Sequence, residues 1–269
     1  SGTVLDPAGI VVSAATPIAE NSPGVAWNGS EYLVAWSDNR NSATTGYDLY
    51  AARVSAAGVL QDAAGIPVST AALVQSVPVV TARGTEWLVA WQDQRNNATT
   101  GLDIYAARVS AAGTVLDPAG IAVVSEVSSQ TAPSAASVGT ESLVAWQDFN
   151  TDNNDIYKAR VDSAGTVLSL GAVNATTKEE TAPSVTANGS GYLVAWEGHS
   201  NAGGGNRSVF AARVTAGGIV TDPAGLTVSA LGSAETTPVA VSNGADYLVA
   251  WVDDLASAVG RLGQLDLQL

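Results

Sequence analysis

With no cysteine and a single histidine, any chemistry in this chain must come from carboxylates, hydroxyls, amides and aromatic faces. Thiolate nucleophiles, disulfides and Cys-ligated metals are excluded. The one imidazole, His199, stands in the Gly-rich run Glu197-Gly198-His199-Ser200-Asn201-Ala202-Gly203-Gly204-Gly205. A nucleophilic triad needs a positioned base and an acid that orients it, and a lone loop histidine supplies neither. The run also lacks the Gly-Lys-Ser/Thr ending of a phosphate loop. Acids recur instead: Asp38, Asp93, Asp148 and Asp253 follow a Trp by two residues, and Asp48, Asp103 and Asp155 precede an Arg by five. The arginines are Arg53, Arg108, Arg160, Arg213 and Arg261. One planar guanidinium per unit beside one or two carboxylates suggests a structural ion pair, with Arg108 against Asp93 or Asp103. In the fourth unit both acids are gone, replaced by Gly198 and Ser208, which that pairing does not explain.

Two further groups of residues could bind ligands. Asp148, Asn150, Asp152 and Asp155 alternate along one loop as oxygen ligands of a hard cation do, so calcium is the one cofactor in view. The sixth-position Gly and twelfth-position Glu of an EF-hand are missing, and a plain Asn/Asp turn explains the loop equally. Sugar recognition pairs an aromatic face with amides and carboxylates, and the candidates are Trp27 and Trp87, which break the repeat, with Asn28 and His199. Packing is the competing reading, since most tryptophans are buried.

The elements that hold these residues come from a repeat. Leu-Val-Ala-Trp occurs five times, ending at Trp36, Trp91, Trp146, Trp196 and Trp251. Each copy follows a Pro-initiated segment and a Gly, and leads through a polar loop to Tyr-Ala-Ala-Arg-Val or a variant of it. The segments are short, β-rich and bounded by Gly, Asn and Pro. Tyr32, Val34 and Trp36 fall on one face and Leu33 and Ala35 on the other, as in a strand buried on both sides. Four strands per ~50-residue unit, five times over, predict an all-β, five-bladed propeller. Its blades are expected near 22–70, 77–125, 132–174, 182–229 and 237–265 plus 3–13, as one domain over 1–269. Thr3–Ile10 repeats Thr114–Ile121, so the N-terminal strand is expected to close the last blade.

As a propeller the chain resembles tachylectin-type lectins. Its repeat resembles the Leu-Val-Ala-Trp-x-Asp … Asp-Ile-Tyr-x-x-Arg-Val units of bacterial, particularly myxobacterial, surface proteins. Propellers of five blades also include glycoside hydrolases, whose carboxylates line the central cavity. The segments Pro23–Asn28, Pro78–Ala82, Pro133–Val138, Pro183–Asn188 and Pro238–Asn243 hold no Asp, Glu, His, Lys or Arg, so no catalytic residue is assigned. The expectation is a non-catalytic, lectin-like module, extracellular or on the cell surface, monomeric and binding glycans. The alternatives are a structural or display propeller without a ligand, and an extracellular hydrolase using loop carboxylates. A net charge of −14 argues against nucleic acid as a partner. No run of ~18 apolar residues is present to insert into a membrane as a helix.

Overall fold

The two faces of each Leu-Val-Ala-Trp strand bury against different neighbours, and this builds the molecule. In the computed structural model, residues 5–13, 19–150, 153–199, 205–229, 233–254 and 259–265 are described, with Asn150 and 259–265 as backbone only. Five antiparallel sheets follow one another along the chain. The first contains β1 (Glu20–Trp27), β2 (Glu31–Asp38), β3 (Asp48–Ser55) and β4 (Ile66–Ser69). The second contains β5 (Gln75–Arg83), β6 (Glu86–Asp93), β7 (Asp103–Val109) and β8 (Ile121–Val124), and the third β9 (Gln130–Val138), β10 (Glu141–Asn150), β11 (Asn153–Val161) and β12 (Val167–Asn174). In the fourth are β13 (Glu180–Ala187), β14 (Gly191–His199), β15 (Arg207–Thr215) and β16 (Leu226–Ser229), and in the fifth β17 (Glu235–Ser242), β18 (Tyr247–Asp253) and β19 (Val259–Leu265). This is a five-bladed β-propeller.

Between blades, the Val/Trp face of one strand meets the Leu/Ala face of the blade before it. Trp87, Val89 and Trp91 pack on Leu33, Ala35, Leu49 and Ala51. Val144 and Trp146 pack on Leu88, Ala90, Ile104 and Ala106. The same alternation joins blade three to four and four to five. Large rings against small side chains fill each seam at core density. The flank of blade one that faces the last blade differs. Trp36, Tyr50 and Ala52 cluster there, and among the described residues no side chain of the fifth sheet joins them. Val239, Val241 and Val252 on the fifth sheet are half exposed.

The outer arginines pair differently from expectation. Arg53 Nε donates to Asp62 at 2.8 Å, Arg108 Nη2 to Asp117 at 2.8 Å and Arg213 Nε to Asp222 at 2.8 Å. These acids sit in the turns Asp62-Ala-Ala-Gly65, Asp117-Pro-Ala-Gly120 and Asp222-Pro-Ala-Gly225, whose last residue has a φ of 72–76° that requires glycine. The third unit has no such turn, and Arg160 pairs with Glu141 instead. Arg53 also donates to the carbonyl of Ala111, and Arg108 to that of Ser163, each in the next blade. Asp38 and Asp93 serve other donors: the indole of their own Trp, and Arg40 or Arg95.

Among the described residues, 5–13 carry no strand and the fifth sheet has three strands; the rest of the closing strand expected over 3–13 lies outside them. The Asp6–Gly9 turn does form, and Ile10 reaches the Gly58 position just as Ile66 and Ile121 reach Gly113 and Gly165 in the following blades. The segment therefore docks on blade one in the place of a preceding blade's outer edge, without the ladder to β19. Residues 1–4 lie outside the described residues.

Candidate functional site

Every inner strand begins three residues before its Pro, earlier than the Pro-initiated segment, and this brings in a residue with an acid or amide end: Glu20, Gln75, Gln130, Glu180 or Glu235. The residue before each Pro, Ser22, Val77, Ala132, Ala182 or Thr237, has φ between 49° and 53° and forms a bulge. A β-branched residue there is strained. The bulge turns its N–H toward the preceding blade. Ala132 donates to Gln92 Oε1 at 2.8 Å and Thr237 to Glu197 Oε2 at 2.8 Å.

The first residue of an inner strand stands beside a residue at or near the start of the third strand of the blade before it. Gln75 donates its N–H to the Tyr47 carbonyl next to Asp48, and Gln130 to that of Leu102 next to Asp103. The pairs across successive seams are thus Asp48 with Gln75, Asp103 with Gln130, Asp155 with Glu180 and Ser208 with Glu235, all buried. Three of the four seams hold one acid. The seam between blades three and four holds two.

Asp155 and Glu180 come close across this seam, an approach that two carboxylates manage only by holding a proton between them. Burial, reinforced by Asp155, pushes Glu180 up to about 7. Burial also raises Asp155. Thr176 braces the pair: its hydroxyl donates to Glu180 Oε1 at 2.6 Å and its N–H to Asp155 Oδ1 at 3.2 Å. Glu180 Oε2 has no partner. Glu180 borders a cavity of about 40 Å³ lined also by Asn174, Thr176, Lys178, Trp196, His199, Phe210 and Ala224. The rings of Trp196 and Phe210 stack 6.2 Å apart. Beside the cavity, Glu179 lies 3.7 Å from His199 Nε2.

The residues singled out from sequence do not converge. His199 joins this pocket. Trp27 and Asn28 lie at the opposite end of the inner strand, Trp27 tilted on Tyr32 at 4.6 Å and Asn28 donating to the Thr85 carbonyl. Trp87 is wholly buried between blades one and two and donates its indole N–H to the Ala26 carbonyl. It has no face to offer a ligand. Asp148 and Asp155 oppose each other across β10 and β11. Asp148 accepts from Ser128 and the Trp146 indole, and Asp155 from Thr176. Asp152 and the Asn150 side chain lie outside the described residues. Among the described residues, no three His, Asp or Glu side chains gather as a metal site would need. Sequence reasoning missed Glu180 because it began each inner strand at the Pro. The recurrent Glu or Gln three positions earlier was the available signal.

No protein-family model matches the chain, and no curated protein matches it. Solved structures do. An α-L-arabinanase of Penicillium chrysogenum, complexed with arabinobiose, is similar at a TM-score of 0.56 and 12% identity, over 92% of this chain and 81% of that one. The catalytic domain of a GH62 α-L-arabinofuranosidase from Coprinopsis cinerea aligns at 0.49 and 12% identity, over 96% of both chains. An endo-arabinase from Bacteroides thetaiotaomicron aligns at 0.48 and 9%, over 92% and 94%. The likeness of architecture is thus to glycoside hydrolase propellers and not to tachylectin-type lectins, which corrects the resemblance drawn from the repeat. The lectin-like, non-catalytic expectation falls with it. Its physical premise fails too: inner strands supposed to carry no acid carry Glu20, Glu180 and Glu235. Among the described residues no helix is long and apolar enough to cross a membrane. The chain is a five-bladed propeller whose fold is similar to that of the Penicillium arabinanase.

Proposed function

We propose that this propeller is a glycoside hydrolase, working outside the cell or at its surface, with Glu180 as its proton donor. The observation that carries the reading is the Asp155–Glu180 seam. Where two other seams place a neutral amide beside an aspartate, this one places a second acid. Glycosidic cleavage needs one carboxyl still protonated near neutral pH and one carboxylate. Glu180, pushed up to about 7 by burial, is the first. Asp155 touches Glu180 and leaves no room for a sugar between them, so its part is to keep the proton on Glu180. Glu179, near His199 and 42% exposed at its side chain, is the carboxylate placed to activate water. A cavity of about 40 Å³ admits water but no sugar ring, so the substrate lies across its mouth.

The similar Penicillium propeller is an arabinanase, which makes arabinan and aryl arabinofuranosides the first substrates to assay, followed by a wider panel of aryl glycosides. The native chain should turn one of them over, and Glu180→Gln should lower kcat by about 100-fold or more. A native protein inert on the whole panel overturns the reading and leaves a structural propeller.

A further inference from the structure

In blades one and two an arginine plugs the pocket that corresponds to this one. In blade two, the Arg95 guanidinium lies 4.0 Å above the Tyr105 ring. It donates to Asp93 at 2.7 Å and to the Ala119 carbonyl at 2.6 Å, and reaches Ser69 Oγ of blade one at 3.4 Å. Blade one repeats this with Arg40, 3.6 Å over Tyr50, bound to Asp38 and the Ala64 carbonyl. In blade four the walls remain: Phe210 for the tyrosine, Ala224 for the alanine that offers its carbonyl, Asn174 for Ser69. The contents have changed. The position four past the Trp is Ser200 in the sequence, and the Asp two past the Trp is Gly198. What borders the space is Glu180, 3% exposed, with Oε2 unpartnered.

We propose that this pocket is a receptor for one organic cation, a guanidinium or primary ammonium, carried by the molecule that the site acts on. It deepens the hydrolase reading and rests on it for the nature of that molecule, which becomes a glycan bearing a free amine rather than an acetamide. The Phe210 face supplies a cation–π contact, as the tyrosines do for Arg40 and Arg95. The Asp155–Glu180 pair, sharing one proton, presents a single negative charge, which one cation neutralises. Lys178 and His199 also line the space, so Glu179 and the acid pair must outweigh them.

The test is calorimetry of the native protein with guanidinium, glucosamine and N-acetylglucosamine, with sodium chloride as the ionic-strength control. Saturable 1:1 binding of guanidinium and glucosamine is expected, with N-acetylglucosamine at least 10-fold weaker. Phe210→Ala should weaken both cations by about 10-fold, and Lys178→Ala should strengthen them. As a positive control, Arg95→Ala opens the matching slot in blade two and should add a second guanidinium site. Three results would each overturn the proposal: equal binding of both sugars, guanidinium binding by Arg95→Ala but not by the native chain, and binding by neither. Because binding is read without cleavage, inert chromogenic substrates would defeat the hydrolase reading alone.

Discussion

Exchanging Gln for Glu at one seam changes what pH does to the protein. Glu180 ordinarily titrates near 4.5, and here is raised to about 7 by burial and by Asp155. Between those values the unfolded chain has lost the proton and the native chain still holds it. Stability therefore falls as pH rises from about 4.5 to about 7, by an amount on the order of 3 kcal/mol, and levels off above. Glu180→Gln, which restores the amide of Gln75 and Gln130, should flatten melting temperature against pH over that window. A slope unchanged in the variant would show that Glu180 ionises normally. Asp222 runs the other way: its hydrogen bond from Arg213 lowers it to about 2, so its contribution is present above about 4 and lost as pH falls toward 2. The outer arginines carry a related cost. Arg108→Met leaves Asp117 without its two-pronged partner and frees the Ser163 carbonyl. With both side chains 16% exposed, a loss of about 2–3 kcal/mol in urea denaturation is expected, between the values for surface and buried pairs.

At the scale of the strand, the bulge before each proline is the element that sets the site. It holds five residues in the left-handed region, and in blades three, four and five the N–H it turns outward is captured by the residue after the preceding blade's Trp. Gln92→Ala removes the acceptor for Ala132 and should destabilise by about 1–2 kcal/mol, measured by urea denaturation. An unchanged midpoint would mean that water replaces it. The strands themselves were legible in the sequence, since Val34 and Trp36 alternate with Leu33 and Ala35 and the structure sends them to opposite seams. What was not legible is lateral. Asp155 and Glu180 are 25 residues apart and meet only because one blade's third strand lies against the next blade's first. Likewise Arg108 finds Asp117 through a turn nine residues on, and not Asp93 or Asp103 on its own sheet. Periodicity gives the face of a strand; it does not say which neighbour covers that face.

For the whole molecule, the N-terminal segment is the piece that bears on closure. Ile10 contacts the Gly58 turn in the way Ile66 contacts Gly113. Removing residues 3–13 strips this cover from blade one, and a fall in melting temperature of several degrees is expected, with the first blade affected most. A truncated chain that melts like the full one would show the docking to be idle. Among the described residues, four seams have packed clusters joining two blades, while the apolar flank of blade one clusters without the fifth sheet. A chain of neighbours packed in this way loosens from its ends, where a blade is held on one side and not on two. Amide hydrogens should record this as a gradient. Those of β6, β7, β10 and β11 should exchange slowest, close to the rate of global unfolding. Those of β1, β2, β17 and β18 should exchange orders of magnitude faster, through partial openings that leave the carboxyl pair between the third and fourth blades still assembled.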